Sequence, residues 1–203
     1  LITINALMVN YAFENPEFFE VLKSGLCVND STGISIACFI LKGRFLPRFQ
    51  GIELFLNLLA FCQKQKLKVF LYGAEEKSNQ KAQEKVKKFF PDIKVDGING
   101  YTDPWEKINA FKPDFIFVGL SLPEQELWIY ENLKKLNCPA MGIGGSLDVI
   151  SGRVRRAYYV FRVSGLEWCW RLINQPQRIK RILKLPVFVA RILSYLIFGR
   201  IIL

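Results

Sequence analysis

Histidine is absent from all 203 residues. That absence removes Ser-His-Asp and Cys-His nucleophile pairs, along with any His-ligated zinc or haem, because each needs an imidazole. Equally missing are a D-x-D pair to hold a divalent metal, a G-x-x-x-x-G-K-[ST] phosphate loop and a complete G-x-G-x-x-G fingerprint. The five cysteines include no C-x-x-C pair and are odd in number. They argue against a disulfide framework and for reduced, buried thiols in a cytosolic compartment. The opening apolar stretch has neither a basic leader nor a small-residue cleavage site, so it does not read as a signal peptide. Because Leu1 already falls in a strand pattern, the chain reads as lacking an N-terminal segment. Its chemistry is left to carboxylates, amides, hydroxyls and arginines.

Acid is scarce in one region only. Residues 1 to 150 carry 17 basic and 17 acidic side chains, whereas residues 151 to 203 carry 11 basic ones and the single acid Glu167. The formal charge of +10 therefore resides in the last quarter. Arginines and aromatics interleaved in this way suit an anionic membrane surface, a phosphorylated ligand or nucleic acid. From Ile182 to Leu203 only Lys184, Arg191 and Arg200 interrupt long apolar stretches. Three spaced cations make a poor bilayer span but fit a helix lying in the interface, with their charges on anionic lipid. A helix packed in the core or against a second copy in a homo-oligomer is the alternative, and nucleic acid is the least favoured partner.

With 51% apolar residues and 23% charged ones, the chain can bury a full core, and its length fits one domain of roughly 100 to 200 residues plus an appendage. Strands are expected at 1–5, 26–29, 67–72, 93–95, 114–118 and 139–143. Helices are expected at 15–25, 34–41, 51–66, 77–90 and 124–136, with a short one after Asp103-Pro104. This alternation predicts an α/β fold: a Rossmann-like, mostly parallel sheet with helices on both faces, followed by a C-terminal basic helical appendage. The composition shift near Ser151 divides a catalytic domain, 1–150, from a membrane-associating appendage, 151–203.

In an open α/β sheet, ligands bind beyond the carboxyl ends of the strands. Those ends supply Thr3 and Asn5, the turn Asp30-Ser31-Thr32-Gly33, the segment Gly119 to Glu126, and the glycines of Gly142 to Ser146. Gly144 and Gly145 could offer N–H groups to a diphosphate, or simply make a turn. Asp30, ending an apolar strand among small residues, is the best general-base candidate, with a helix N-cap as the plain alternative. Gln125 is the one amide in an otherwise ordinary acidic helix start. Arg171, Arg178 and Arg181 are spaced to share a helix face and could fork onto phosphate oxygens or form a solvated basic face.

Seven segments in order carry a resemblance: T-I-N (3–5), N-D-S-T-G-I (29–34), F-Q-G-I-E-L (49–54), V-G-L-S-L-P-E-Q-E (118–126), G-I-G-G-S-L-D-V-I-S-G (142–152), R-R-A (155–157) and G-L-E-W-x-x-R-L-x-x-x-P-x-R-x-x-R (165–181). Together they resemble the WecG/TagA/CpsF family of bacterial glycosyltransferases. The resemblance implies inverting transfer of N-acetylmannosamine, or a related sugar, from a UDP donor to a polyprenyl-diphosphate-linked N-acetylglucosamine. The setting it implies is surface-polymer synthesis, such as a teichoic acid linkage unit, at the cytoplasmic face of the membrane. It makes Asp30 similar to the family's base, places Thr3, Asn5 and Gln125 in the pocket, and makes Arg171, Arg178 and Arg181 similar to arginines that reach over it. No metal cofactor is expected. Ser31, Glu53, Glu124 and Tyr158 depart from the usual pattern. Against this stand two rivals, a non-catalytic nucleotide-binding module and a membrane adaptor.

Overall fold

The computed structural model describes residues 1–199; the side chain of Arg181, together with Arg200 and residues 201–203, lies outside the described residues. The chain opens with β1 (Ile2–Ile4), α1 (Ala6–Glu14), α2 (Phe18–Lys23), β2 (Cys27–Asn29) and α3 (Thr32–Lys42). Next come α4 (Gly51–Lys64), β3 (Lys68–Gly73), α5 (Glu76–Phe89), β4 (Lys94–Ile98) and α6 (Trp105–Phe111). They are followed by β5 (Phe115–Gly119), α7 (Glu124–Asn132), β6 (Ala140–Gly142) and α8 (Ser146–Ser151). Beyond these lie α9 (Tyr159–Val163), α10 (Glu167–Asn174), a 3-10 turn at Pro176–Arg178, α11 (Ile179–Ile182) and α12 (Leu185–Phe198). Two compact units share these elements: Leu1–Thr3, Val21–Leu26 and Gly51–Arg155 form one, and Ile4–Glu20, Cys27–Gln50 and the residues from Arg156 onward form the other.

In the first unit, four parallel strands run in the order β4-β3-β5-β6. Strand side chains alternate between faces. Val69, Leu71 and Phe117 accordingly enter one core with Phe55 and Leu59 of α4 and Val86 of α5. Phe70, Tyr72, Ile116 and Val118 enter a second core with Ile108 of α6 and Ile129 of α7. Apolar side chains on both faces account for the near-continuous hydrophobic runs in β3 and β5, and the result is the expected Rossmann-like sheet flanked by helices. At the carboxyl ends the backbones close tightly: the Ala74 N–H donates to Gly119 O at 3.1 Å. A Cβ on Gly73, whose φ is +125°, would lie 2.3 Å from that same oxygen, so glycine is required there.

The second unit is helical at its centre. Ala6 of α1, Ala37 of α3, and Phe188 and Ile192 of α12 form one buried cluster. Beside it, the buried Asn10 side chain donates to Lys184 O at 2.7 Å and accepts from Arg191 Nη1 at 3.0 Å, while Asn10 O accepts from the same nitrogen at 3.1 Å. Glu14 lies 3.7 Å from Arg191 and 3.2 Å from Lys184. This corrects the reading of the last helix as a run of cations facing lipid. Arg191 is only 7% exposed and is spent on α1, and Lys184 is paired. Arg200 lies outside the described residues. Phe188→Ala should cost this unit about 3 to 5 kcal/mol and speed amide hydrogen exchange in α1 and α3. Unchanged protection in those two helices would show that α12 does not support them.

Candidate functional site

Within the first unit, α7 starts directly beyond β5, and its first turn buries Gln125 and Glu126. Gln125 Oε1 accepts the N–H of Gly144 at 2.6 Å, and its Nε2 donates to Glu126 Oε1 at 2.6 Å. The end of β6 is cut to fit this amide, since a Cβ on Gly142 would lie 2.4 Å from Gln125 Nε2. Two residues on, Gly144 turns with φ +49°, and Gly145 follows as the N-cap of α8. Gln125 and the Gly144 turn, separated in sequence, are thus brought together. Thr3 belongs to the same unit and is buried.

Glu126 is the residue that sequence reading passed over, as one more acid at a helix start. It is 3% exposed, its Oε2 has no hydrogen-bond partner, and it lines a mostly apolar cavity of about 420 Å³ with Leu58, Phe115, Ile129 and Leu136. Burial pushes its carboxyl up from 4.5 to about 7; the hydrogen bond from Gln125 and one from backbone work against the rise, while the negative charge of Glu124 adds to it. Cys138, on the same cavity wall, is raised to about 11, first by burial and then by Asp114. That thiol stays protonated and unreactive.

The second unit carries Asp30, Asn5 and the arginines. Asp30 follows β2, and its N–H donates to Ile4 O at 3.0 Å. The turn it occupies is organised by buried Asn29, whose side chain donates to Ser35 Oγ at 2.8 Å and accepts the Ser31 N–H at 2.9 Å. Ser31, not Asp30, takes the N-cap position of α3 and makes no side-chain cap bond. Asp30 thus lies one residue before the N-cap position that its sequence setting allowed it. At α1 the N-cap is Asn5, whose Oδ1 accepts from Leu7 and Met8 N–H at 3.0 and 3.1 Å.

Two residues beyond Asp30, Thr32 Oγ1 accepts from Arg48 Nη1 at 3.1 Å. Arg48 Nη2 and Gln50 Nε2 both donate to Arg162 O, at 3.1 and 3.0 Å. Gly165, with φ +76°, leaves the space: a Cβ there would lie 2.5 Å from Thr32 Oγ1. Glu167 then joins two arginines, with Arg171 at 2.7 Å and Arg48 at 3.9 Å. A chain of polar contacts thus runs from the Asp30 turn to Arg171. Arg178 Nε donates to Gln175 Oε1. The side chain of Arg181 lies outside the described residues. Arg48 and Glu167 were also passed over, although Glu167 carries a legible signal as the sole acid in a basic stretch.

Among the described residues, no group of three or more His, Cys, Asp or Glu side chains is placed to hold a metal ion, and no helix is long and apolar enough to cross a membrane.

The chain matches the model of the glycosyl transferase WecG/TagA/CpsF family over residues 1–201. It is also similar to N-acetylglucosaminyldiphosphoundecaprenol N-acetyl-beta-D-mannosaminyltransferases of Staphylococcus aureus, from strains MRSA252 and MW2 among others. Each of these is 35% identical over a 199-residue alignment that covers 95% of this chain and 78% of the relative.

The buried carboxyl makes stability pH-dependent with a definite sign. Between pH 4.5 and about 7 the folded chain retains a proton that the unfolded chain has released, so stability conferred below 4.5 is lost as pH rises through the folded value. Relative to Glu126→Gln, which cannot titrate, the parent should lose about 3 kcal/mol across that window. Denaturant midpoints at a series of pH values test this, and parallel pH profiles for the two proteins would refute it.

Proposed function

This chain belongs to the glycosyl transferase WecG/TagA/CpsF family and is a glycosyltransferase, and we propose that it moves N-acetylmannosamine from UDP to N-acetylglucosamine on a polyprenyl diphosphate. The observation that carries this reading is the 35% identity, spread over 95% of the chain, to proteins named for that transfer. UDP as the donor, and a teichoic acid linkage unit or similar surface polymer as the destination, are the finer parts of the proposal.

In this mechanism Asp30 takes the proton of the acceptor hydroxyl while that oxygen bonds to the anomeric carbon. The bond from that carbon to the β-phosphate oxygen breaks on the opposite face, so the product is inverted and UDP leaves. A positioned base of this kind contributes on the order of 10² to 10⁴ in rate. The Asn29 bonds support the role by fixing the turn that carries Asp30. In the same proposal arginines meet the negative charge building on the diphosphate, with Arg171 the first candidate and Arg178 and Arg181 the others, while the N–H groups at Gly144 and Gly145 are the candidates offered by the first unit. Thr3, Asn5 and Gln125 hold substrate in the same proposal. Transfer without a metal is supported by the lack of histidine and of any D-x-D pair.

Peripheral attachment to the cytoplasmic face of the membrane completes the reading. Its support is an apolar surface on the second unit: Ile36, Phe39 and Ile40 of α3 are exposed, as are Val189, Leu193 and Leu196 of α12, and both helices enter one buried cluster. Anchoring on this account draws on apolar burial more than on the charges of α12.

Asp30→Asn should lower UDP release by roughly 100-fold or more while leaving UDP affinity within a few fold; the assay uses UDP-N-acetylmannosamine and a short-chain lipid acceptor, with and without EDTA. Turnover equal to the parent would remove Asp30 from the mechanism, and UDP binding without release by the parent would leave a nucleotide-binding module. Replacing Phe39 and Leu193 together by Ser should reduce co-sedimentation with anionic vesicles at least tenfold, since each large apolar side chain contributes about 1.5 to 3 kcal/mol when buried. Undiminished sedimentation would place the membrane contact elsewhere.

A further inference from the structure

The Gln125 amide is committed at both ends, and the two commitments agree about which end is which. Gly144 N–H is a donor and needs an acceptor, so the atom 2.6 Å away is the amide oxygen. Glu126 Oε1 lies 2.6 Å from the other end, and a carboxylate oxygen there calls for a donor, so that end is the NH₂. Gly142 lacks the Cβ that would push this NH₂ aside. Once its oxygen is given to Gly144 and one N–H to Glu126, a single N–H remains on Gln125. The group so defined donates to a ligand and does not accept from one.

Glu126 is unusual in holding the Gln125 amide from a position only 3% exposed. Its Oε2 has no partner, and the wall around it is mostly apolar. A buried acid kept at such cost is hard to explain as packing, since leucine would fill the same space with no polar atom left unsatisfied.

We propose that Glu126 is a positioning residue that fixes the Gln125 amide with its NH₂ outward from the Gly144 turn, so that Gln125 serves the site as a hydrogen-bond donor to a substrate oxygen. Without Glu126, the Gly144 N–H alone holds the amide, and once that one bond opens the amide can turn and present its oxygen, which repels phosphate, carbonyl or ring oxygens. Glu126 itself touches no substrate. The proposal rests on the glycosyl-transfer reading only for the identity of the ligand; the hydrogen-bond relay stands without it.

The test compares Glu126→Leu with Glu126→Gln by ¹⁵N NMR without nucleotide, then by UDP titration and steady-state kinetics. Leucine suits the apolar cavity, so that variant is expected to fold, and its dispersed spectrum verifies this. Glu126→Gln retains an acceptor oxygen and should keep the Gly144 amide and Gln125 side-chain resonances near their parent positions, with UDP affinity within about threefold. Glu126→Leu should shift both resonances and weaken UDP binding or turnover by about tenfold to 100-fold, the range expected when a binding group is misplaced by about 1 Å. Parent-like Gly144 and Gln125 resonances in Glu126→Leu would overturn the relay. Shifted resonances with parent-like UDP binding and turnover would overturn the donor role. If the parent itself binds no UDP, the glycosyl-transfer reading fails, and the resonances alone decide whether Glu126 orients Gln125.

Discussion

A parallel sheet covered on both faces tolerates almost no charge along its length, and this constraint decides where the first unit can be polar. β3 and β5 send every side chain from Val69 to Tyr72 and from Ile116 to Val118 into one core or the other. Polar groups therefore collect where the strands run out, at the Gly73 and Gly119 contact, at the head of α7 and at the Gly142 to Gly145 turn. The glycines there serve steric ends. At Gly73 two backbones meet, and at Gly142 a backbone makes room for an amide. Gln125 and Glu126 are among the polar side chains buried there, joined by one hydrogen bond, with Glu126 Oε2 left without a partner.

The basic character of the last quarter has a different physical meaning once partners are counted. Lys184 and Arg191 share Glu14, Arg171 shares Glu167 with Arg48, and in the other unit Arg153 meets Glu75 at 2.6 Å. Part of the excess charge is thus locally balanced, by Glu14 and Glu75 from far away in sequence and by Glu167 from within the stretch, and Arg191 is buried as a hydrogen-bond donor to α1. An arginine buried in this way is costly unless its donors are met. It contributes specificity of packing more than attraction to an anionic surface.

Sequence periodicity located the sheet and its helices well because both were long or strongly patterned, as in α4, α5, β3 and β5. The strand expected at 93–95 extends instead over Lys94–Ile98, since Asp96 and Gly97 break the apolar run while still pairing with β3. The helix expected to reach 136 stops at Asn132. α1 was missed altogether: Asn5 was read as the end of a strand, and its capping of Leu7 and Met8 is visible only when the backbone turns there. The placement of Asp30, Gln125 and the glycine turn beyond strand ends was legible, because each follows an apolar run that periodicity marks as a strand. Glu126, Arg48 and the role of Glu167 were not, because each depends on a partner that local pattern does not reveal. Glu126 differs from its neighbour Glu124 only in facing inward.

The bond between Asn10 and Arg191 spans 181 positions of the chain, and it has a consequence for the order in which the protein is made. Most of the first unit is continuous, from Gly51 to Arg155, and its strands can pair while synthesis is still under way. The second unit cannot close so early. Its cluster of Ala6, Ala37, Phe188 and Ile192 joins the earliest helices to the last one described, and closing so long a loop is entropically slow. On a ribosome making residues in sequence, α1 and α3 wait with an apolar face uncovered until α12 has emerged. The helix that follows the Asp30 turn therefore acquires its full support only once α12 has emerged, and a chain released before that point would carry the sheet without a finished seat for its proposed base.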